Sequence, residues 1–343
     1  MKIYEDYSST YDDAIDHYWD LKKFSTESDD TAAFIGWAYM DKISDHIDTI
    51  RKYQNAVYFN TEHPCVFQGT DESSIALSSD SNKLFNKIFT QCPYTADWLN
   101  YKEQGDRFKH IYIPFNLQYV CEPTEQKVYD ALYWGGIHNV DHINILDVIK
   151  NYKYNFLSVG PNTWSGWNSE DRWLQYLPKE GVVLDHPGAD PYHYMNLLTS
   201  INMERTAMWQ LLRKTKVNVM TNLLYTDKNI NTNIRLHDQW EENKAFSHLE
   251  YFIMPQLKTR PIETAVNKCL MVVKKDPWNI QELYFEPEKE FIYYEDKKDL
   301  QSILEDVKIN WKNYEQIVEN AFSKAISNYT TRHFVDELRK ECK

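Results

Sequence analysis

Glycine, cysteine and long apolar runs are all scarce in this sequence of 343 residues. Its 9 glycines form no Gly-x-Gly-x-x-Gly, so the fingerprint of a dinucleotide-binding turn is missing. The five cysteines show no Cys-x-x-Cys and no zinc spacing, which indicates reduced thiols in a cytoplasmic protein. No stretch approaches about 18 apolar residues, and the first residues do not form a signal peptide, so we expect no membrane insertion.

The signatures of several large enzyme classes are missing as well. There is no Gly-x-Ser-x-Gly, no P-loop, no kinase signature set and no His-Glu-x-x-His. The 51 acidic residues outnumber the 38 basic ones, which gives a net charge of −13. This charge disfavours a large generic face for DNA or membranes, because neutralising phosphates requires clustered Lys and Arg. A local basic groove is still compatible with it.

Aromatic side chains, in contrast, make up 15% of the chain, with 25 Tyr and 11 Trp. They suit stacking surfaces for sugars or bases as well as an aromatic core. Short apolar runs alternate with helical stretches, which predicts an α/β fold with mostly parallel sheets. The predicted strands include residues 32–35, 56–59, 111–114, 129–134, 217–220 and 270–273. The predicted helices include residues 11–24, 41–53, 139–151 and 192–214.

The stretch from residue 255 to residue 276 contains a loop, a short helix and a buried strand. Pro261 suits the first turn of the helix, where its missing N–H removes no hydrogen bond. Lys258 and Arg260 precede this helix start, whose unpaired N–H groups and dipole favour an anion. Glu263 falls in the first turn. The grouping predicts a phosphate site with a carboxylate for a ribose diol; the alternative is a solvated loop in which Glu263 complements the dipole.

Two glycines and two histidines follow the predicted strand that ends at Trp134. Gly135 and Gly136 would let the backbone approach a phosphate closely, and a tight turn is the alternative. His138 and His142 are spaced i, i+4 at the start of the next helix. They could face a diphosphate, form a metal pair or lie on the surface. A metal pair needs further ligands that the sequence does not offer, so we expect no bound metal.

Glu62 is the candidate for acid–base chemistry. It follows strand 56–59 and lies two residues before Pro64, so a fixed turn could hold its carboxylate, partly desolvated, at the mouth of a cleft. His63 is the rival base. The structural alternative is a loop carboxylate that caps a neighbouring group.

The stretch containing Arg260 and Glu263 resembles the donor-nucleotide motif of GT-B glycosyltransferases. In that family the glutamate usually holds the ribose hydroxyls, and nearby Arg or Lys side chains hold the diphosphate. Many retaining members carry a second glutamate seven residues upstream, where this chain has Gln256. The final third is similar to bacterial glycosyltransferases of the spore-maturation type. The matching residues there are Arg260, Glu263, Leu270-Met-Val-Val273, Glu295-Asp296 and Asp299-Leu300.

The whole length also resembles the DNA beta-glucosyltransferases of T-even bacteriophages. The segment from Val57 to Glu62 lies where that family has a strand ending in its catalytic Asp. The segment from Tyr133 to Gly136 matches its glycine-containing donor loop. His138 and His142 fall near the positions of two phosphate-binding arginines.

These resemblances imply a GT-B fold, with two Rossmann-like domains facing a central cleft. We predict an N-terminal acceptor-side domain over residues 1–120 and a C-terminal nucleotide-sugar-binding domain over residues 121–310. A helical tract over residues 311–343 is expected to pack back on the first domain. The expected donor is a nucleoside-diphosphate sugar, with a UDP-sugar as the first choice.

The resemblances also imply a reaction. Glu62 would deprotonate an acceptor hydroxyl for direct attack on the anomeric carbon, with inversion. The acceptor is a hydroxymethylated pyrimidine in DNA by the phage resemblance and a surface glycan by the bacterial one. Two alternatives stay open: a retaining enzyme in which Glu62 only positions the acceptor, and a nucleotide-sugar-binding protein without turnover.

Overall fold

The computed structural model of the chain forms two compact α/β units. The first consists of Met1–Leu117, Tyr225–Thr259 and Asn328–Lys343, and the second of Gln118–Leu224 and Arg260–Ser327. The structure describes residues 1–5, 19–27, 30–36, 43–59, 83–91, 93, 96–97, 100, 104–120, 126–134, 140–149, 151–157, 205–227, 251–255, 257 and 259–342. None of the helices in these ranges has the length and apolar composition that a bilayer crossing requires.

Strands and helices alternate along the described chain. The strands are β1 (Lys2–Glu5), β2 (Thr31–Ile35), β3 (Asn55–Phe59), β4 (Lys87–Thr90), β5 (Phe108–His110), β6 (Tyr129–Trp134), β7 (Tyr154–Leu157), β8 (Thr215–Met220), β9 (Leu223–Asp227), β10 (Tyr251–Pro255), β11 (Leu270–Lys274) and β12 (Ile292–Tyr294). The helices are α1 (Ile43–Ile50), α2 (Val140–Ile149), α3 (Arg205–Lys214), α4 (Arg260–Val266), α5 (Lys297–Asn310), α6 (Glu315–Asn328) and α7 (Thr331–Glu341).

The first unit is built around a five-stranded sheet in the order β1-β2-β3-β4-β5. Every neighbouring pair in this sheet is parallel. Four successive residues are buried in β2 and four in β3, without the alternation of a half-exposed strand. This pattern is expected of a parallel sheet, because elements covering both of its faces bury every side chain of a central strand.

Helix α7 completes the core of the first unit. The Thr330 hydroxyl accepts a hydrogen bond from the backbone N–H of His333 and caps the start of the helix. Phe334, Val335 and Leu338 lie on one face of α7 and are fully buried in the core. The ring of Phe334 meets that of Phe59, at the end of β3, edge-on with the centroids 5.0 Å apart.

The second unit contains a five-stranded parallel sheet in the order β12-β11-β8-β6-β7. After β6 the chain adds β7 on one side of that strand and then returns to add β8 on the other. The direction of winding therefore reverses between β6 and β8. Helices α2 and α5 supply residues such as Ile145 and Leu304 to the core that covers this sheet.

Two predicted elements are wrong in the described part of the chain. Residues 111–114 are not a strand: Ile111 and Ile113 are buried in the core, while the backbone of Phe115 bonds to Tyr329 and Thr331 beside α7. Pro114 lacks an N–H, so it could not donate to a sheet. The predicted helix over residues 11–24 does not reach its end, because Asp20 has a left-handed backbone (φ 54°) and residues 21–24 form a 3-10 turn.

We expect Phe334→Ala to lower the free energy of unfolding by about 3–5 kcal/mol, because it leaves a cavity beneath β3. Urea denaturation followed by circular dichroism measures this loss. Ile309→Ala is the control: Ile309 is 76% exposed, so its truncation should change stability by no more than about 0.5 kcal/mol. Equal losses in the two variants would contradict a role for α7 in the core.

Candidate functional site

The carboxyl ends of β6, β8 and β11 lie at one edge of the second sheet, because these strands are parallel neighbours. Strand β6 ends at Trp134, and the buried residues Thr221 and Asn222 follow β8. Open α/β sheets bind ligands outside the carboxyl ends of their strands, at the point where the winding direction reverses. This point is the gap between β6 and β8, which makes the edge the candidate functional site.

Arg260 places a permanent positive charge at this edge. Its Nη1 donates to the carbonyl oxygen of Trp134 at 3.4 Å, and the guanidinium carbon lies 5.8 Å from the centroid of the Trp134 ring. Arg260 also hydrogen-bonds the Tyr133 hydroxyl. Burial raises the pKa of that hydroxyl to about 12, although the Arg260 charge opposes the shift. Within the part of the chain that the structure describes, no carboxylate forms an ion pair with Arg260.

Glu263 lies one turn after Arg260 on the same side of α4, the spacing at which helical side chains are neighbours. The residue is only 3% exposed. Asn267, just after the helix, is also buried, and its side-chain nitrogen donates to the Glu263 carbonyl at 2.8 Å. The short helix is thus packed against the unit and holds its carboxylate and its cation at fixed positions.

A buried amide connects this helix to the sheet. Asn218, in the middle of β8, is 1% exposed, and its side-chain amide lies 2.7 Å from the Thr264 hydroxyl. With the amide oriented to satisfy its neighbours, its oxygen also accepts from Trp134 Nε1 at 3.3 Å and its nitrogen donates to the Leu132 carbonyl at 3.2 Å. Asn218 is not among the site residues predicted from the sequence. The sequence feature that could have identified it is a polar residue between the apolar residues of a predicted strand.

Further buried polar groups follow β8 and β11. The side-chain nitrogen of Asn222 donates to Oε1 of Gln281 at 2.8 Å, and both residues are buried. The Asp276 carboxylate accepts from the backbone N–H groups of Trp278 at 2.9 Å and Ile280 at 3.2 Å. Burial raises the pKa of Asp276 above its ordinary value, and these hydrogen bonds oppose the shift.

The described residues include only part of the predicted site. Arg260 and Glu263 are brought together on α4, and the backbone of His142 lies in α2 while its side chain is outside the described part. The other predicted site residues also lie outside it: Glu62, His63, Gly135, Gly136, His138 and Lys258. Among the side chains that are described, no group of three His, Cys, Asp or Glu is arranged to hold a metal ion.

The family of the chain follows from its second half. Residues 143–340, more than half of the sequence, match the family described as glycosyl transferase-like. The chain belongs to this family. The protein is therefore a glycosyltransferase, and the matched residues include α4, β8, β11 and the helices that pack on them. None of the curated proteins compared with this glycosyltransferase by sequence matches it.

Solved structures establish that the glycosyltransferase has the GT-B fold. HepE of Anabaena, solved in complex with UDP-glucose, superposes with a TM-score of 0.56 at 10% identity, over 90% of this chain and 78% of HepE. Sucrose-phosphate synthase of Thermosynechococcus elongatus gives 0.53 at 8% identity, over 90% of this chain and 72% of its own. TarM gives 0.52 at 12% identity over 94% of this chain, which spans only 57% of TarM.

The raised pKa of Asp276 predicts how its neutral analogue affects stability. Folding disfavours the ionised carboxylate. The neutral carboxyl therefore contributes to the free energy of unfolding at low pH, and the wild type loses this contribution as pH rises from the ordinary pKa of 3.8 through the higher pKa of the folded state. We therefore expect Asp276→Asn to gain stability relative to the wild type as pH rises above the ordinary value of 3.8.

Urea denaturation across this pH range measures the difference. Asp306→Asn is the control with the opposite sign, because hydrogen bonds from Tyr314 and Asn310 lower the pKa of Asp306. The wild type should lose the contribution of Asp306 as pH falls, so the Asp306→Asn variant should lose relative stability as pH rises. Parallel pH dependences in the two variants would contradict the assignment for Asp276.

Proposed function

We propose that this glycosyltransferase transfers a sugar from a nucleoside-diphosphate sugar, with UDP as the expected nucleotide, to an acceptor hydroxyl. The observation that carries the proposal is the position of Arg260. Its guanidinium lies against the end of β6, at the reversal point where open α/β sheets bind their ligands. A diphosphate is an anion that suits this charge, because arginine binds phosphate oxygens through paired N–H donors.

The rest of the proposed donor site follows from the neighbours of Arg260. The Glu263 carboxylate would accept hydrogen bonds from the two ribose hydroxyls, since it is held one turn away on the same helix. Gly135 and Gly136, directly after Trp134 in sequence, would let the backbone approach the phosphates, with Lys258, His138 and His142 nearby in the sequence pattern. HepE, which has a similar fold, binds UDP and UDP-glucose, and this supports UDP as the nucleotide.

The proposed reaction is a single displacement with inversion. Glu62 takes the proton of the acceptor hydroxyl, and the acceptor oxygen attacks the anomeric carbon. The bond from that carbon to the phosphate oxygen breaks as the new bond forms. The nucleoside diphosphate leaves with the additional negative charge, which Arg260 would stabilise. His63 is the alternative base. The assignment of Glu62 depends on its place after β3 in the sequence, and a retaining reaction is the alternative outcome.

The charge of the protein favours an uncharged acceptor over DNA. Arg205, Arg213, Lys214 and Lys216 are the basic residues that could form a local edge for a polyanion. Lys216 already forms an ion pair with Asp130 at 3.2 Å, so its charge is offset within the second unit. Because the net charge of −13 also repels a polyanion, we propose a glycan hydroxyl as the acceptor. A hydroxymethylated pyrimidine in DNA is the second candidate and belongs in the same assay.

We expect Glu263→Ala to weaken UDP binding by about 1–3 kcal/mol, because the ribose hydroxyls would lose a buried hydrogen-bond partner. Isothermal titration calorimetry with UDP measures the dissociation constant. Glu319→Ala is the matched control: Glu319 is a half-exposed carboxylate of the same unit that pairs with Lys268, so its loss should leave UDP binding unchanged. Equal affinities of the Glu263→Ala and wild-type enzymes would remove Glu263 from the donor site.

Glu62→Gln should lower turnover by about 10²–10⁴-fold while leaving the affinity for UDP unchanged, because it keeps the shape of the side chain and removes the base. The assay offers UDP-sugars with glycan acceptors and with hydroxymethylated or unmodified DNA at two salt concentrations. If His63→Asn loses turnover and Glu62→Gln does not, His63 is the base. A product that keeps the anomeric configuration of the donor would overturn inversion, and transfer to modified DNA that falls with salt would identify DNA as the acceptor.

A further inference from the structure

We propose that Asn218 and Thr264 form a positioning pair that fixes Arg260 and Trp134 in the geometry the donor site requires. This inference rests on the proposed function and extends it to two residues outside the predicted site. Neither residue is proposed to touch the donor. Both act through the groups that they hold.

Thr264 fixes the first turn of α4. Its hydroxyl donates to the side-chain oxygen of Asn218 at 2.7 Å and lies 2.6 Å from the carbonyl oxygen of Arg260. The helix that carries the guanidinium is therefore tied through Thr264 and Asn218 to the middle of β8. Thr264 is fully buried, so water does not compete for these contacts.

Asn218 fixes the aromatic surface on which Arg260 lies. Its amide oxygen accepts the indole N–H of Trp134 at 3.3 Å, and its nitrogen donates to the Leu132 carbonyl in the same strand. An indole has a single donor, so this bond determines how the ring is turned in its pocket. The guanidinium of Arg260 lies over that ring. The single side-chain amide of Asn218 thus holds both the indole ring and the helix that position the Arg260 guanidinium.

A purely structural role does not account for this choice of residue. The neighbours of Asn218 along β8, Val217 and Val219, are apolar and fully buried, and so is Met220, which lies on the same face of the strand as Asn218. A buried amide carries a desolvation cost that only well-made hydrogen bonds offset. The side chains that offset it here, Trp134 and Thr264, belong to the edge of the proposed donor site.

Thr215 provides a matched control for Thr264. It is also fully buried, and its hydroxyl donates to the carbonyl four residues earlier, that of Leu211, at 2.8 Å. The Thr264 hydroxyl likewise lies 2.6 Å from the carbonyl oxygen four residues earlier, that of Arg260, but its hydrogen goes to Asn218. The two threonines differ in position, because Thr215 begins β8 at the opposite edge of the sheet from Trp134.

The first test measures UDP affinity by calorimetry in three variants. Thr264→Val keeps the shape of the side chain and removes the hydroxyl, so we expect a loss of about 3- to 10-fold. Thr264→Ser restores the hydroxyl and should recover most of the affinity. Thr215→Val should bind UDP as the wild type does. Equal affinities of Thr264→Val and Thr215→Val would overturn the proposal.

A double-mutant cycle with Arg260→Ala shows whether Thr264 acts through the cation. In the Arg260→Ala background we expect Thr264→Val to cause no further loss of UDP affinity, while each change keeps its own effect on thermal unfolding. Losses that add in the double variant would mean that Thr264 does not work through Arg260, which contradicts the positioning role.

A measurement without ligand separates this proposal from the proposed function. The indole N–H resonance of Trp134, assigned by its loss in Trp134→Phe, should shift in Asn218→Leu and Thr264→Val but not in Thr215→Val. If the Trp134 resonance does not move in folded Asn218→Leu and Thr264→Val, the positioning role of Asn218 and Thr264 is wrong, independently of which ligand the enzyme binds. A wild-type enzyme that binds neither UDP nor any other nucleotide overturns the donor site, while the resonance still reports on the pair.

Discussion

Strand β8 is hydrogen-bonded to β6 on one side and to β11 on the other, and its residues from Val217 to Met220 are buried. The parallel pairing brings the carboxyl ends of the three strands to the same edge, so whatever follows each strand in sequence is close to its neighbours in space. Burial of the valines supplies the hydrophobic stabilisation. The second unit obtains both its core and its candidate site from this one arrangement.

The same arrangement places the positive charge of Arg260 at this edge of an acidic protein. Arg260 is positioned by a carbonyl, a phenol and an indole ring, and no carboxylate among the described residues forms an ion pair with it. A cation that is half-buried among aromatic rings keeps its attraction for an anion better than an exposed one, because less water screens it. A net charge of −13 therefore does not prevent a diphosphate from binding, although it does disfavour a long polyanion.

Most of the strands are predictable from the sequence because their signal is local. Apolar runs such as Ala56–Phe59 and Leu270–Val273 lie inside β3 and β11 as predicted. Strand β1 was not predicted, because its four residues (Lys2–Glu5) include a lysine and a glutamate and so do not form an apolar run. Their pairing with β2 is a contact between distant segments. A strand was predicted at residues 111–114 because Ile111 and Ile113 alternate. The N–H of Ile111 does bond to the Thr90 carbonyl of β4, but the segment then leaves the sheet and packs beside α7.

By itself, the sequence determined the α/β class, the GT-B resemblance and the grouping of Arg260 with Glu263, because each depends on residues close together in the chain. Tertiary structure alone decided that Arg260 lies on Trp134, 126 residues earlier, and that Asn218 holds both the indole and the turn that carries the cation. It also decided that α7 closes the core of the first unit through Phe334 and Phe59. Such contacts depend on which strands become neighbours, and local propensity and periodicity carry no information about that choice.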